Sequence, residues 1–303
     1  MNSTEDAASA LLSDQTHSLE CMQIVPFGRN RSLALFEIGD RDHRTCQSFI
    51  FEINEFRPDM SKLIFCENIW MTSLAAASPS TVFALEVGRT LWSPAGLDWS
   101  VSFKASSFMR RIWLHNPNCG FFIGDDGILF RFDGQNWREI EDGDEIALND
   151  IHGQTADLLA VVGDLGSLQV IRGDVVESID LPFDVDLLGV HVSPGGLIRV
   201  AGRDGLCAEV SGQEVRELEA PNSAFFSVTE FKGKTYWGDD EFGVFAQEGT
   251  ALTPFHETGM GYDMRTDTDF LYCSGSDAMW RFDGEEWLSL RAFYDKGWRL
   301  RAS

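Results

Sequence analysis

The sequence predicts an all-β fold made of repeated four-stranded antiparallel sheets. Two closely similar segments, Gly120–Glu141 and Phe270–Arg291, share the pattern Arg-Phe-Asp-Gly-x-x-Trp at 131–137 and 281–287. Short apolar stretches alternate with turns rich in Gly and Asp, which is typical of strands joined by tight hairpins. The 23 Phe and 9 Trp suit strands, and no heptad pattern of a helical repeat is found.

A recurring glycine defines the period of the repeat. The anchor glycines, each expected before the turn that joins the second and third strands of its unit, are Gly39, Gly88, Gly124, Gly163, Gly202, Gly238 and Gly275. Their spacings are 49, 36, 39, 39, 36 and 37 residues, and the first is long because 54–65 and 75–80 carry extra residues. A period near 40 residues with four strands is typical of one blade of a β-propeller. Seven anchors therefore predict a seven-bladed β-propeller with little helix.

The fourth unit illustrates the expected strands. They run over 146–151, 158–162, 167–171 and 175–179, with turns at 152–157, 163–166 and 172–174. Residues 1–18 precede the first unit and are expected to form an N-terminal extension, either helical or disordered. The remaining residues, 19–303, are expected to form a single propeller domain.

The repeated motif resembles that of bacterial β-propellers of the photosystem-assembly-factor and BNR (Asp-box) type. The sialidase Asp-box reads Ser-x-Asp-x-Gly-x-x-Trp, whereas Asp and Gly are adjacent here, so the match is partial and clear in two units. The resemblance implies a structural turn between the third and fourth strands, with the Trp packed between blades. The residues that would take this role are Asp133, Gly134, Trp137, Asp283, Gly284 and Trp287. Propellers host many activities, so fold resemblance alone does not assign a function.

The charge balance excludes two classes of partner. Lys and Arg total 24 against 48 Asp and Glu, giving a net charge of −24. Such a chain repels nucleic-acid phosphates and anionic membranes, so neither is an expected partner. The start of the chain lacks the basic and apolar stretches of a signal peptide, and the six cysteines form no CxxC pair. We therefore expect a cytoplasmic protein with free thiols.

Many of the acidic residues are expected on one face of the propeller, where the second turns of the blades meet the connections between blades. Residues 138–190 alone contain thirteen acids and two arginines. We interpret the following residues as a partner-binding acidic rim: Asp125, Asp126, Asp142, Asp144, Glu145, Asp164, Asp184, Asp186, Asp239, Asp240 and Glu241. A field of this sign favours association with a basic protein. The alternative is that Asp serves only as a turn former on a solvated surface.

Metal and catalytic sites are not predicted. The Gly-Asp-x-Gly turns lack the alternating ligands of an EF-hand, and His152 and His191, although equivalent in adjacent units, lack an evident carboxylate partner. No hydrolase elbow, Walker loop or metalloprotease motif occurs. Arg29, Arg31, Arg41 and Arg44 all fall in the first unit, so no arginine cluster drawn from several blades is expected.

These observations favour a non-enzymatic, cofactor-free β-propeller that binds a basic protein through an acidic face. In its narrowest form the hypothesis is an immunity-type protein that neutralises a basic toxin or effector. Two alternatives remain open at this stage. One is a propeller enzyme, such as a lyase or glycosidase, with a site on the axis. The other is a scaffold subunit of a larger assembly.

Overall fold

The computed structural model describes residues 17–40, 45–96, 98–140, 145–155 and 157–303. Within this part of the chain, helix is limited to three single 3-10 turns, at Pro58–Met60, Asp125–Gly127 and Asp164–Gly166. The all-β prediction is confirmed. The expected extension lies outside the described residues up to position 16, and His17 and Ser18 already belong to the first strand.

Two sheets form the first part of the chain. The first sheet contains, in spatial order, β1 (His17–Pro26), β2 (Arg31–Asp40), β3 (Cys46–Asn54) and β4 (Lys62–Glu67). The second sheet contains β5 (Met71–Ser78), β6 (Thr81–Glu86), β7 (Gly88–Ala95), β8 (Asp98–Asn116), β9 (Cys119–Gly124), β10 (Leu129–Phe132) and β11 (Trp137–Glu139). Hydrogen bonding between neighbours is antiparallel throughout both sheets.

Four further sheets follow. The third contains β12 (Leu148–Thr155), β13 (Leu158–Gly163), β14 (Leu168–Arg172) and β15 (Val175–Ser178). The fourth contains β16 (Leu187–Val192), β17 (Ile198–Gly202), β18 (Cys207–Ser211) and β19 (Glu214–Glu217). The fifth contains β20 (Phe225–Phe231), β21 (Lys234–Asp239), β22 (Gly243–Glu248) and β23 (Ala251–Glu257). The sixth contains β24 (Met264–Thr266), β25 (Leu271–Ser274), β26 (Ala278–Phe282), β27 (Trp287–Tyr294) and β28 (Trp298–Ala302).

The long strand β8 joins what the repeat predicted as two separate sheets. Its residues 98–104 pair with β7, and its residues 109–116 pair with β9. Residues 98–116 contain neither Gly nor Pro, so no turn residue interrupts the strand. The second and third units therefore share one continuous strand.

The first strand of each unit lies innermost, and these strands contact one another in sequence. The contacts run from β1 to β5, to β8, to β12, to β16, to β20 and to β24, which contacts β1. The backbone N–H of Cys21 donates to the carbonyl of Ser276 at 2.6 Å, and the Phe49 ring stacks on Trp298 with centroids 4.1 Å apart. The first and last sheets are thus joined by both backbone and core contacts.

Five of the seven anchor glycines, all but Gly39 and Gly88, lie where two backbones approach closely. A Cβ atom on Gly124 would lie 1.9 Å from the carbonyl oxygen of Phe108, and one on Gly163 would lie 2.3 Å from that of Ala147. No larger residue fits there, which explains why glycine marks the period. The prediction was wrong at Gly88, which starts β7 instead of preceding a turn. That glycine has a φ of 107° and follows the turn.

The two Asp-Gly turns carry the geometry that the resemblance implied. Asp133 accepts hydrogen bonds from the N–H groups of Gln135 and Asn136 at 2.8 and 2.7 Å, between β10 and β11. The Asp283 carboxylate makes the same two bonds, both at 2.8 Å, between β26 and β27. The glycines that follow, Gly134 and Gly284, have φ angles of 98° and 105°.

The tryptophans after these turns contact the preceding unit. Trp137 lies 5.5 Å from the Phe83 ring on β6, and Trp287 stacks on His256 of β23 at 4.2 Å. Each also packs on the last aromatic residue of its own third strand, Phe132 or Phe282, at 4.8 Å. Both tryptophans are half-buried, so their burial is less complete than the sequence suggested.

Candidate functional site at the axial mouth

A β-bulge recurs in six innermost strands. The pairing register skips one residue in each, and the skipped residues are Met22, Thr72, Arg110, Asn149, Leu188 and Phe226. Tyr262 occupies the corresponding place just before β24. A bulged residue leaves the ladder and its side chain is re-aimed. The repeat therefore presents one unpaired position per innermost strand at the end where these strands begin, which we call the upper end.

Six of these seven positions, all but Arg110, surround a cavity of about 220 Å³, here called the axial mouth, and Arg111 takes the place of Arg110 in its lining. Its lining residues are Met22, Thr72, Arg111, Asn149, Leu188, Phe226 and Tyr262. The Phe226 and Tyr262 rings lie 5.1 Å apart in an edge-to-face arrangement. The axial mouth thus combines an aromatic pair and aliphatic side chains with an amide and a hydroxyl.

The residues directly below the bulges tie neighbouring innermost strands together. The side-chain oxygen of Gln23 accepts from the N–H of Leu74 at 2.6 Å, and Ser73 accepts from Ile112 at 3.2 Å. Asp150 accepts from the N–H of Val190 at 3.0 Å. These buried bonds satisfy backbone groups between sheets, where unpaired donors would be costly.

An ion-pair cluster forms the floor of the axial mouth. The Arg111 Nε atom lies 3.0 Å from Asp150, and its Nη2 group donates to Asp263. Arg265 also pairs with Asp263, at 3.2 Å. Burial raises the pKa of Asp263, but the two guanidiniums outweigh burial and leave that pKa lowered.

Arg111 also lines a second cavity, on the opposite side of the floor. This lower cavity has a volume of about 170 Å³ and includes His152, His191 and Arg265 in its lining. Sequence reasoning predicted no arginine cluster from several blades, yet Arg111 and Arg265 meet here across the axis. That prediction was wrong because it considered only arginines close together in sequence.

Negative charge surrounds the axial mouth. Burial raises the pKa of Tyr262, and the carboxylates of Glu20, Asp240 and Glu37 raise it further. A phenol beside carboxylates stays protonated and can donate a hydrogen bond. The mouth therefore has a lining of apolar and polar groups, and carboxylates lie near its edge.

The structure places the predicted acidic rim at the upper end. Asp164 donates its backbone N–H to Ala147 just before β12, and the N–H of Asp240 donates to Ala224 just before β20. Each of these turns thus lies against a connection between sheets, as expected. Asp142 and Asp144 lie outside the described residues. Glu145, Asp184 and Glu241 are exposed.

Other rim carboxylates are partly neutralised. Arg110 pairs with Asp125, and it also lies 3.9 Å from Asp164, which brings two neighbouring turns together. Asp126 accepts a hydrogen bond from Ser107 at 2.6 Å. Asp186 lies 3.4 Å from Arg203. Asp240 caps the N–H of Ala224 at 3.1 Å.

Asp239 is not available for binding, so its assignment to the rim was wrong. Its side chain accepts from the N–H groups of Phe242 and Gly243 at 2.8 and 2.7 Å, and from the Ser223 hydroxyl at 3.0 Å. The residue is 2% exposed. Its carboxylate holds the turn between β21 and β22, since it satisfies donors that the turn leaves unpaired.

Leu165 is an exposed apolar residue on the acidic upper end. It is 68% exposed and has a φ of 55°, in the left-handed region. The equivalent positions in the neighbouring units are Asp126 and Asp204, with φ angles of 56° each. Asp tolerates this backbone conformation, whereas a leucine is strained there. Leu165 is flanked by Asp164, and its N–H donates to Asp186 at 3.1 Å.

Sequence reasoning missed the residues of the axial mouth and its floor. A usable signal was present, because Arg111 and Asp150 each lie thirteen residues before an anchor glycine, Gly124 and Gly163. The side chains at these equivalent positions differ in chemistry, so the positions share no residue type that a sequence pattern could reveal. Among the described residues, no three His, Cys, Asp or Glu side chains form a group that could hold a metal ion, and no helix is long and apolar enough to cross a bilayer.

Comparison with known proteins identifies the fold. No family model matches the chain, and no curated protein matches its sequence. Among solved structures, the WD40 β-propeller domain of Doa1 superposes with a TM-score of 0.68 at 11% identity, covering 90% of this chain and 98% of that one. YCF48 bound to a D1 peptide gives a TM-score of 0.63 at 11% identity, with 86% and 89% covered. The computationally designed Ika8 protein gives 0.65 at 11% identity, with 95% and 98% covered. The fold is thus that of a β-propeller, similar to WD40 and assembly-factor propellers.

Proposed function

We propose that this chain is a non-enzymatic, cytoplasmic protein-binding β-propeller that receives a basic segment of a partner at its upper end. The observation that carries the proposal is the axial mouth, a cavity with an aromatic pair and aliphatic side chains in its lining and carboxylates near its edge. An apolar anchor in a pocket supplies most binding energy, and surrounding charges select and steer the partner. The solved YCF48 structure with a bound peptide supports a protein ligand for this fold in general.

The proposal includes a propeller of seven blades. The residues at the mouth come from seven innermost strands, which contact one another in order. The seven-stranded sheet supplies two blades in this count, because β8 pairs with β7 over its first part and with β9 over its last. An experimental structure with six or eight blades would contradict it.

Free carboxylates supply the charge complementarity. Four exposed residues of the upper end, none with an ion-pair partner within the described part of the chain, are Glu145, Asp184, Asp204 and Glu241. Leu165 adds an exposed apolar side chain between acidic neighbours. We therefore expect the partner segment to carry an apolar side chain flanked by Lys or Arg.

The test uses a short fluorescent peptide with one leucine flanked by lysines, and a matched peptide with glutamates. The lysine peptide is expected to bind, with an association rate that falls between about 50 mM and about 300 mM NaCl because salt screens the steering field. The variant Glu145→Gln/Asp184→Asn/Asp204→Asn/Glu241→Gln should slow association. The control Glu177→Gln/Glu214→Gln/Glu217→Gln/Glu248→Gln removes the same charge from the outer strands and should change the rate less.

The mouth itself is tested by Leu188→Ser, which makes one side of the cavity polar. This change should raise the dissociation rate without altering the salt dependence, because steering depends on charge. Equal effects of the two four-site variants, together with no effect of Leu188→Ser, would overturn the upper end as the binding site.

In its narrower form, the proposal is that the partner is a basic toxin or effector and that this chain neutralises it. The net charge of −24 favours such a partner. The test is capture of a stoichiometric partner from the native host, followed by expression of that partner alone and together with this chain. A basic partner that stops growth only when expressed alone would support neutralisation. A partner that is harmless alone would exclude it and leave the scaffold role.

A further inference from the structure

The lower cavity offers hydrogen-bond donors in an otherwise acidic protein. It lies below the Arg111 floor, and residues of every innermost strand line it. Its volume of about 170 Å³ equals that of about six water molecules at roughly 30 Å³ each. A ligand of this size has only a few non-hydrogen atoms.

Two lining residues have a defined donor. The Nδ1 atom of His152 accepts a hydrogen bond from the N–H of Val192 at 3.0 Å, so the ring proton resides on Nε2. Arg265 directs its Nε and Nη2 groups to Asp263, each at 3.2 Å. Its Nη1 group has no protein partner among the described residues.

A third residue of the lining is incompletely satisfied. His191 is 6% exposed, and its buried Nε2 atom makes no hydrogen bond with the described residues. The nearest carboxylate, Glu230, lies 3.6 Å from this atom, and its interaction with His191 is the largest of those that lower the pKa of Glu230 to about 2. Arg199 binds the same carboxylate at 3.0 Å. The His152 and His191 rings stack with centroids 4.3 Å apart.

The electrostatic setting of His152 is positive. Burial lowers the pKa of His152, and the neighbouring His191 and Arg265 lower it further. The carboxylates of the lining, Asp150 and Asp263, already pair with Arg111. The two guanidiniums of the lining are thus matched by two carboxylates, and the donors left for an anion are the Arg265 Nη1 group and the His152 Nε2–H.

We propose that the lower cavity binds a small carboxylate anion, which accepts hydrogen bonds from Arg265 and His152. The fork of a guanidinium matches a carboxylate. The bound negative charge favours the protonated imidazole, so the pKa of His152 rises when the anion binds. This site is separate from the axial mouth, and the inference does not rest on the proposed function.

The experiment follows the histidine ring signals by NMR during a titration with sodium acetate at about pH 6.5. The signals of His152 and His191 should shift and saturate, with half-saturation below about 20 mM, whereas His17 and His256 stay unchanged. The pKa of His152 should rise with acetate. Sodium chloride at matched ionic strength should produce no saturable shift.

Two variants localise the effect. Arg265→Gln should abolish saturation, while Asp263 keeps its pairing with Arg111. Arg110→Gln removes one positive charge at the upper end and should bind acetate as the wild type does. The proposal is overturned if the wild-type shift is linear, if chloride matches acetate, or if folded Arg265→Gln still saturates.

Discussion

Arg111 on β8 forms an ion pair with Asp263, which lies 152 residues further along the chain and on the opposite side of the ring of innermost strands. The Asp263 side chain is 1% exposed and that of Arg111 is 15% exposed. The same guanidinium binds Asp150 on the neighbouring strand β12. One side chain therefore connects three innermost strands and separates the axial mouth from the lower cavity.

Asp263→Asn is expected to destabilise the fold by about 3–5 kcal/mol, because it leaves buried guanidinium charge uncompensated. The measurement is the free energy of unfolding in urea. The matched control is Asp277→Asn, which removes a partly exposed carboxylate 3.2 Å from Arg291. That exposed pair should contribute only about 0–1 kcal/mol. Similar losses in both variants would show that the axial pair is not a major support.

The same carboxylate predicts a stability loss in acid. Its pKa is lowered in the folded state, so its contribution is present above the unfolded value of about 3.9 and is lost as pH falls through the folded value. The difference in unfolding free energy between wild type and Asp263→Asn should be constant above about pH 5 and shrink below about pH 4. A difference that grows on acidification would contradict the lowered pKa.

Leu165→Asp should stabilise the protein by roughly 0.5–1 kcal/mol, because aspartate tolerates the left-handed backbone that strains leucine. The reverse change at the equivalent turn, Asp204→Leu, should destabilise by a similar amount. Thermal unfolding of both variants checks the pair. If neither melting temperature moves, the strain at this turn is negligible.

Trp137→Ala and Trp287→Ala should each destabilise by about 2–4 kcal/mol, somewhat less than for fully buried aromatics because both side chains are half-buried. Each ring packs on the unit before its own, so its loss weakens contacts between units. Phenylalanine substitutions should cost less, since they keep an aromatic ring. Wild-type melting curves for both alanine variants would refute the packing role.

The thiols should resist alkylation in the native state. Burial raises the pKa of Cys46 and of Cys66 to about 11, with nearby carboxylates adding to the effect, and raises that of Cys273 to about 12. Only the thiolate reacts with iodoacetamide. At about pH 7.5, labelling followed by mass spectrometry should therefore be slow until urea unfolds the chain. Rapid native labelling of Cys273 would contradict its burial.

The periodic part of the fold could be predicted from the sequence because steric demands repeat. Gly124 and Gly163 mark places where only hydrogen fits, and such positions recur with the blade. The prediction failed at β8, where the absence of Gly and Pro joins two units that the period separates. The period reports where turns are required, and it does not report where a strand continues.

The site could be predicted less well, for a different reason. Counting strands places carboxylates such as Asp184 and Glu241 at one end of the fold, and both are exposed; their role in partner binding stays a prediction. Counting strands does not predict whether a carboxylate is buried. Asp239 therefore appeared equivalent to Asp240, although Asp239 is 2% exposed. The pairing of Arg111 with Asp263 depends on ring closure, which places distant residues opposite each other. No local pattern encodes that distance.

The repeated β-bulge makes the recognition surface modular. A bulged residue such as Leu188 or Asn149 lies outside the register of its strand, so the ladder does not depend on which side chain stands there. The repeated backbone of the scaffold is therefore kept while the residue type at each bulged position can change independently in each unit. A chain of this design can exchange one partner for another by successive single substitutions, each leaving the interblade hydrogen bonds below it intact.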